Sequence, residues 1–199
     1  MEPRGSQEGD PLSAEATKER ILAAAMEEFS SFGISGARVD RIAKSAGCNK
    51  NLIYVYFENK EMLFTTVLEK HLTRVYEEIP FTPEDLPGYA AKVFDWAMTH
   101  PDIVRLMTWY SLEQKVDHLT ERASVRDKKL KAIMDAQNDG LIGMTFTPGF
   151  LMTAIMALAT AWTPTNPFGP SHDPEAGIPQ ETREAIARAV SLMTKREDS

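Results

Sequence analysis

The sequence is poor in the residues and patterns that catalysis, disulfide bonding and membrane insertion require. Its 199 residues include one cysteine, Cys48, so an internal disulfide is excluded. The histidines have no metal-ligand spacing with Cys, Asp or Glu, and neither a nucleophile elbow nor a glycine-rich phosphate loop occurs. No apolar run is long enough to span a bilayer, and the start of the chain is polar and acidic, unlike a signal peptide. We therefore expect a cytoplasmic protein that is not an enzyme and uses no metal or cofactor.

Apolar residues, in contrast, make up 43% of the chain, and many recur with the three-and-four spacing of amphipathic helices. There is no strand-like alternation, so the sequence predicts an all-α fold of about nine helices. Residues 1–12 have little to bury and are expected to form a disordered tail. Residues 13–60 would form a three-helix N-terminal head, and residues 61–199 a larger helical body. Several prolines predict an irregular loop over 163–178, before a last helix that starts near Pro179.

The stretch from Val39 to Phe57 has the pattern of two short helices joined by a tight turn. The first helix would bury an apolar face made of Val39, Ile42, Ala43 and Ala46. Gly47 follows where the turn needs a positive φ, and Asn49 is a good N-cap for the second helix. The second helix would bury Leu52, Ile53 and Phe57. Its exposed residues would be Lys50, Asn51, Tyr54 and Tyr56, which offer the cationic, amide and phenolic groups that suit a major groove.

The net charge of −7 is unusual for a DNA-binding protein, but the charges are unevenly distributed. Between Arg38 and Lys60 there are five cations and two anions, so this window carries +3 and the rest of the chain −10. Because exposed charges are screened beyond about 8–10 Å in physiological salt, the local charge matters more than the total. An acidic body behind a basic edge would orient the molecule on DNA.

From Thr17 to Leu68 the chain resembles the N-terminal DNA-binding domain of the TetR family of transcriptional repressors. The resemblance is carried by Arg20, Ile21, Leu22, Ala24, Phe29, Gly33, Ile42, Ala43, Ala46, Gly47, Asn49, Lys50, Tyr54, Tyr56, Phe57, Lys60, Leu63 and Phe64. Three positions depart from the common pattern. Arg38 stands where the family often has a capping Thr or Ser, Cys48 where Val is usual, and Asn49 where Ser or Thr is commoner.

The resemblance implies DNA contacts at eight residues in or beside the two short helices. They are Arg38, Lys44, Asn49, Lys50, Asn51, Tyr54, Tyr56 and Lys60. Lys50 can reach a base or a phosphate, and Lys60 lies at a helix N-terminus, where free amides also favour phosphate. The alternative interpretation, favoured when the residues are considered without the resemblance, is that the lysines are solvated and the tyrosines cover the edge of the core. Cys48 is expected to pack as a small apolar residue, with a redox switch as the alternative.

The body contains many Met and aromatic residues, and the resemblance implies an effector site between its helices. The candidate lining residues are Trp96, Met107, Trp109, Tyr110, Met134 and Met156. Such a site would take a small apolar or aromatic molecule, because the body has no basic or glycine-rich cluster. The alternative interpretation of each of these residues is an ordinary helical core.

The helices at about 148–162 and 179–195 are expected to form a four-helix bundle between two copies, because the first is apolar nearly all round. The predicted function is a dimeric repressor that binds a palindromic operator and is released by the effector. Its two recognition helices would read half-sites about 34–36 Å apart. One alternative is an activator or corepressor-dependent regulator. An alternative of a different class is a helical small-molecule-binding protein with a vestigial head.

Overall fold

The computed structural model describes residues 11–113, 120–163 and 179–196, and within these ranges the chain forms nine α-helices and no strand. The helices are α1 (Pro11–Gly36), α2 (Val39–Ala46), α3 (Lys50–Phe57), α4 (Lys60–Glu78), α5 (Leu86–Thr99), α6 (Pro101–Glu113), α7 (Thr120–Asn138), α8 (Pro148–Thr160) and α9 (Gln180–Thr194). The predicted all-α class is confirmed. The predicted loop after Thr163 and the first ten residues of the predicted tail lie outside the described residues. α1 begins at Pro11, so Pro11 and Leu12, which were predicted to belong to the disordered tail, are helical instead.

Short-range signals in the sequence set most helix ends. Asn59 caps α4 through its Oδ1 atom, which accepts a hydrogen bond from the Met62 amide at 2.7 Å. Thr147 caps α8 in the same way, through a bond of 3.3 Å from the Phe150 amide. Within α1, Gly33 is non-helical, although helical hydrogen bonding resumes after it and continues to Gly36.

The chain divides into two compact units. The first contains the described residues up to His71, together with α6 from Leu106 onward. Its core includes the apolar face of α1, which is buried, and Phe29 packs edge-on against Phe64 of α4 at a ring distance of 5.1 Å. Tyr110 of α6 stacks on the same Phe64 ring at 6.4 Å. The helices of the first unit are therefore held together by aromatic packing as well as by aliphatic burial.

The second unit contains the described residues from Leu72 to Arg105 and from α7 onward. α5 packs against α8 and α9, and the core at their contact includes Phe94, Leu151, Ile155, Ile186 and Val190. Two polar contacts tie these helices and loops together. Arg183 of α9 pairs with Asp95 of α5 at 2.8 Å, and the buried Gln137 amide donates to the carbonyls of Gly143 and Phe146 at 2.9 and 2.8 Å.

α8 is the apolar helix that was expected to pack in a bundle between two copies. Within a single chain it buries the face formed by Leu151, Ile155 and Ala159. Phe150, by contrast, is 52% exposed, and Met156 and Leu158 are only half-buried. In a single chain, therefore, one face of this apolar helix is buried and other apolar residues of the helix stay partly exposed. None of the described helices is long and apolar enough to cross a membrane.

Candidate nucleic-acid interface

α2, the turn after it and α3 form a helix-turn-helix whose geometry follows from three residues. Gly47 adopts a left-handed conformation (φ 62°, ψ 40°), which a residue without a side chain reaches at little cost. The Cys48 amide, in the turn, donates back to the Ala43 carbonyl at 3.0 Å. Asn49 then caps α3, because its Oδ1 accepts a hydrogen bond from the Asn51 amide at 2.9 Å. The predicted turn and N-cap are both present.

The buried side of the motif is also as predicted, with one correction. Val39, Ile42, Ala43 and Ala46 of α2 and Ile53 and Phe57 of α3 are buried. Leu52, which was expected in the core, is 36% exposed instead. An eight-residue helix offers the core a narrow face, and Ile53 and Phe57, one turn apart, occupy it.

The outer side of α3 presents Lys50, Asn51 and Tyr54. The Tyr54 side chain is 42% exposed, and Asn51 is also exposed. The Lys50 ammonium forms an ion pair with Asp40 of α2 at 2.8 Å, and the hydrogen bond and charge of this contact lower the pKa of Asp40 and raise that of Lys50. Because both partners are exposed, the pair is weak in water, and a phosphate can replace Asp40 as the partner of Lys50.

The N-terminus of α2 is held by a carboxylate from α1. Arg38 occupies the N-cap position without a capping side chain, and its backbone amide donates to Glu28 Oε1 at 2.7 Å. Arg41 donates its Nε to the same carboxylate at 2.8 Å, and its guanidinium lies over the Phe32 ring at 4.4 Å. Burial acts to raise the pKa of Glu28, but the hydrogen bonds from Arg41 and the Arg38 amide outweigh it and lower that pKa overall.

The other predicted DNA-contact residues have different surroundings. Arg38 and Lys44 are exposed, whereas Tyr56 is half-buried with its ring edge-on to Phe57. Lys60 Nζ donates to the Ala37 carbonyl at 3.2 Å, so this lysine joins α4 to the start of α2. Cys48 is half-buried in the turn.

The six candidate effector residues are divided between the two units. Met107, Trp109 and Tyr110 belong to the first unit, where Trp109 lies against Gly33 and Tyr110 against Phe64. Trp96, Met134 and Met156 belong to the second. Trp96 stacks on His100 at 4.7 Å and donates its indole N–H to Glu78 at 3.1 Å, while Met134 is 47% exposed. The effector site remains a prediction.

In the described ranges, no three His, Cys, Asp or Glu residues are grouped so that they could hold a metal ion.

Two features of this surface were not recognised in the sequence. The exposure of Val55 could have been found by counting residues around α3, because Val55 lies opposite the buried Ile53 and Phe57. The contact of Glu28 with Arg38 and Arg41 left no local signal, because ten or more residues separate the partners.

A capped α3 that exposes lysine, amide and phenol groups beside a well-packed α2 is characteristic of a helix-turn-helix DNA-binding protein. Residues 21–67 match the family model for bacterial regulatory proteins of the tetR family, and residues 85–195 match the model for the tetracyclin repressor-like C-terminal domain. The chain therefore belongs to the TetR family of transcriptional regulators, and the predicted family is confirmed.

Similar proteins support this assignment over most of the chain. The HTH-type transcriptional repressor SCO4008 of Streptomyces coelicolor is 38% identical over 148 residues, which cover 73% of this chain and 77% of that protein. The HTH-type transcriptional repressor NicS of Pseudomonas putida is 33% identical over 109 residues, or 51% of each chain. The crystal structure of the regulator SCO4942 of Streptomyces coelicolor has a TM-score of 0.76 at 36% identity and covers 91% of this chain and 99% of its own. These relatives are regulators, so the prediction that the chain is not an enzyme is confirmed.

Proposed function

We propose that the protein is a dimeric transcriptional repressor that inserts α3 into the major groove of a palindromic operator. The observation that carries the proposal is the outer face of α3, where Lys50, Asn51 and Tyr54 project from a helix whose start is fixed by the Asn49 cap. Held in this way, the helix presents its N-terminal residues to base edges without further ordering, which lowers the entropic cost of binding.

Lys50 supplies attraction to the phosphate backbone in this proposal. In the free protein its ammonium is paired with the exposed Asp40 carboxylate, and on DNA a phosphate takes the place of that carboxylate. Each phosphate neutralised by a cation releases roughly one counterion, so operator affinity falls as salt rises. Arg38 and Lys44, both exposed near the motif, add to the same effect.

The apolar residues that a single chain leaves exposed support the dimer. Phe150 of α8 is 52% exposed and Leu192 of α9 is 70% exposed. A second copy that packs its own α8 and α9 against these residues would bury them, and two copies related by a two-fold axis would meet two inverted half-sites.

The effector in this proposal is a small apolar or aromatic molecule that binds the body and favours a conformation unable to hold both half-sites. A ligand shifts such an equilibrium only by the difference between its affinities for the two states.

The similarity to the repressors SCO4008 and NicS supports repression over activation. A regulator that acts on chromosomal DNA works in the cytoplasm, where we place this protein.

The test is selection of binding sites from a random duplex library by the full-length protein. We expect the recovered sequences to share an inverted repeat, and we expect the affinity of the best site to fall linearly on a logarithmic salt scale. If no duplex is enriched and binding is undetectable at low salt, the proposal is wrong, and a helical small-molecule-binding protein becomes the better interpretation.

Variants of α3 connect this activity to the site. We expect Tyr54→Ala and Lys50→Ala to weaken binding to the selected site, with a cost of about 1–3 kcal/mol if Lys50 contacts a base. If Lys50 contacts phosphate only, the loss should be equal across sequences and the salt slope should fall by about one. Lys92→Ala, which removes an exposed lysine from α5, is the matched control and should bind like the unaltered protein.

A further inference from the structure

The outer face of α3 is apolar at its centre, and the proposed function does not account for this. Val55 is 73% exposed and Leu52 is 36% exposed. The two residues are three positions apart, so they are neighbours on one side of the helix. They share that side with Asn51, and Tyr54 lies between them in the chain.

The direction of these side chains follows from helix geometry. Successive residues of an α-helix are rotated by about 100°, so Val55 points about 180° away from the mean direction of Ile53 and Phe57. Leu52 and Asn51 lie about 60° and 40° to either side of Val55 by the same count. The apolar pair therefore lies near the middle of the outer surface of α3, opposite the face that packs against the core.

The chemistry of the major groove limits what such a pair can contact there. Base edges present hydrogen-bond donors and acceptors, and the one apolar group among them is the 5-methyl group of thymine. Leucine and valine offer no hydrogen bond to a base edge, but they gain free energy when a methyl group covers them.

We propose that Leu52 and Val55 read the 5-methyl group of thymine, so that each operator half-site contains at least one thymine whose methyl group contacts this pair. The inference rests on the proposed function and adds to it the base that α3 selects. In this arrangement the polar groups of α3, on Asn51, Lys50 and Tyr54, position the helix and contact polar groups of the DNA. The apolar pair favours thymine over cytosine, which has no 5-methyl group.

The test removes only the methyl group from the DNA. In the site selected by the full-length protein, each thymine is replaced in turn by deoxyuridine, which keeps base pairing and differs by one methyl group. We expect one or two replacements per half-site to weaken binding by about fourfold, the effect of leaving one methyl-sized group unburied. Replacements at the other thymines should have no effect.

Variants assign the effect to the two residues. Leu52→Ala and Val55→Ala should weaken binding to the thymine site, and at least one of them should lose the discrimination between thymine and deoxyuridine at the sensitive position. Lys50→Ala should bind more weakly to both duplexes but keep their ratio. Both apolar side chains are exposed, so circular dichroism should show unchanged helix content in the alanine variants.

The outcomes distinguish the inference from the function on which it rests. A protein that binds a palindromic site with equal affinity after every thymine replacement overturns the inference alone. A sensitive thymine whose effect persists in both Leu52→Ala and Val55→Ala also overturns it. A protein that binds no duplex overturns the proposed function, and the inference with it. The deoxyuridine scan uses the unaltered protein, so it gives a result whether or not a variant folds.

Discussion

At the scale of single residues, Glu28 of α1 is the carboxylate that binds the start of α2. It is 8% exposed and accepts hydrogen bonds from the Arg38 amide and from the Arg41 side chain. The N-cap residue Arg38 makes no capping hydrogen bond with its side chain, and its own backbone amide is satisfied by the carboxylate of another helix. A charged acceptor makes these hydrogen bonds stronger than a neutral one would.

We expect Glu28→Gln to destabilise the protein by about 1–3 kcal/mol, because a neutral amide replaces the acceptor of charged and backbone donors. Urea unfolding followed by circular dichroism measures this change, and operator affinity should fall with it. Glu27→Gln is the matched control, since Glu27 is the exposed neighbour on α1. Equal stability of the two variants would show that the Glu28 contacts contribute little.

The lowered pKa of Glu28 also has a consequence for acid stability. A carboxyl group whose pKa is lower in the folded than in the unfolded state stabilises the fold above its ordinary pKa of 4.5, and this contribution is lost as the pH falls below that value. The unfolding free energy of Glu28→Gln should therefore decrease less than that of the unaltered protein between neutral pH and acid.

Tyr89 should give a distinct signal at the other end of the pH range. Burial, with a smaller contribution from Tyr76, raises the pKa of Tyr89 to about 12. Its hydroxyl accepts a hydrogen bond of 2.8 Å from Lys129, and burial lowers the pKa of that lysine. The rings of Tyr76, Phe81 and Tyr89 surround the Lys129 ammonium at 5.2–5.5 Å.

We expect one of the five tyrosines to ionise late in an ultraviolet absorbance titration of the folded protein, and Tyr89→Phe should remove that late component. Because the folded pKa is raised, the corresponding stability is fully present below the ordinary pKa of 10 and is lost as the pH rises towards 12. Tyr54→Phe, on the exposed face of α3, should leave the late component in place. Its persistence in Tyr89→Phe would contradict the assignment.

At the scale of secondary-structure elements, the break in α1 depends on Gly33. Its φ is 66°, and a Cβ atom built there would lie 2.8 Å from Cε3 of Trp109 and in contact with the Glu113 carboxylate. That carboxylate accepts hydrogen bonds from the Ser35 amide and hydroxyl at 3.1 and 3.0 Å. A glycine at this position therefore provides both the turn in the backbone and room for α6 to pack within the first unit.

Gly33→Ala and Gly47→Ala separate these two roles. Gly47 has a similar φ of 62°, but a Cβ atom added there would meet nothing within 4 Å. We expect both variants to lose about 1–2 kcal/mol from the left-handed backbone, and Gly33→Ala to lose about 1–3 kcal/mol more because the Trp109 ring must move. Thermal or urea unfolding measures the difference. Equal losses would show that the ring accommodates the extra carbon freely.

At the scale of the whole molecule, the apolar residues of α8 and α9 predict a homodimer. Leu158 is half-buried against the core of its own unit, and Phe150 and Leu192 are more exposed. We expect the protein to be dimeric by light scattering at micromolar concentration, and Leu158→Asp to dissociate or unfold it, because an unpaired buried charge costs several kcal/mol. Lys92→Asp places the same charge on an exposed position of α5 and should leave the mass unchanged. A monomeric unaltered protein would contradict the prediction.

Local chemistry in the sequence determined the helices, their ends and the family. Asn49 and Asn59 cap helices with their own side chains, and Gly47 provides a left-handed turn, so each signal lies within a few residues of the structure it specifies. Gly140, with φ 69°, provides a left-handed turn after α7 for the same reason. Apolar spacing likewise predicted the buried face of α2, where Val39, Ile42, Ala43 and Ala46 are all buried.

Only the tertiary structure decided how those helices are rotated and which distant residues meet. The exposure of Leu52 depends on which turn of α3 meets the core, and an eight-residue helix has too few apolar positions to specify that by pattern alone. The contact between Ser35 and Glu113 joins residues 78 positions apart. Trp109 and Tyr110 of α6 pack beside Gly33 and Phe64 in the first unit, contacts that no spacing in the sequence indicates. Such contacts form because folding brings complementary surfaces together from distant parts of the chain, and no local spacing records that pairing.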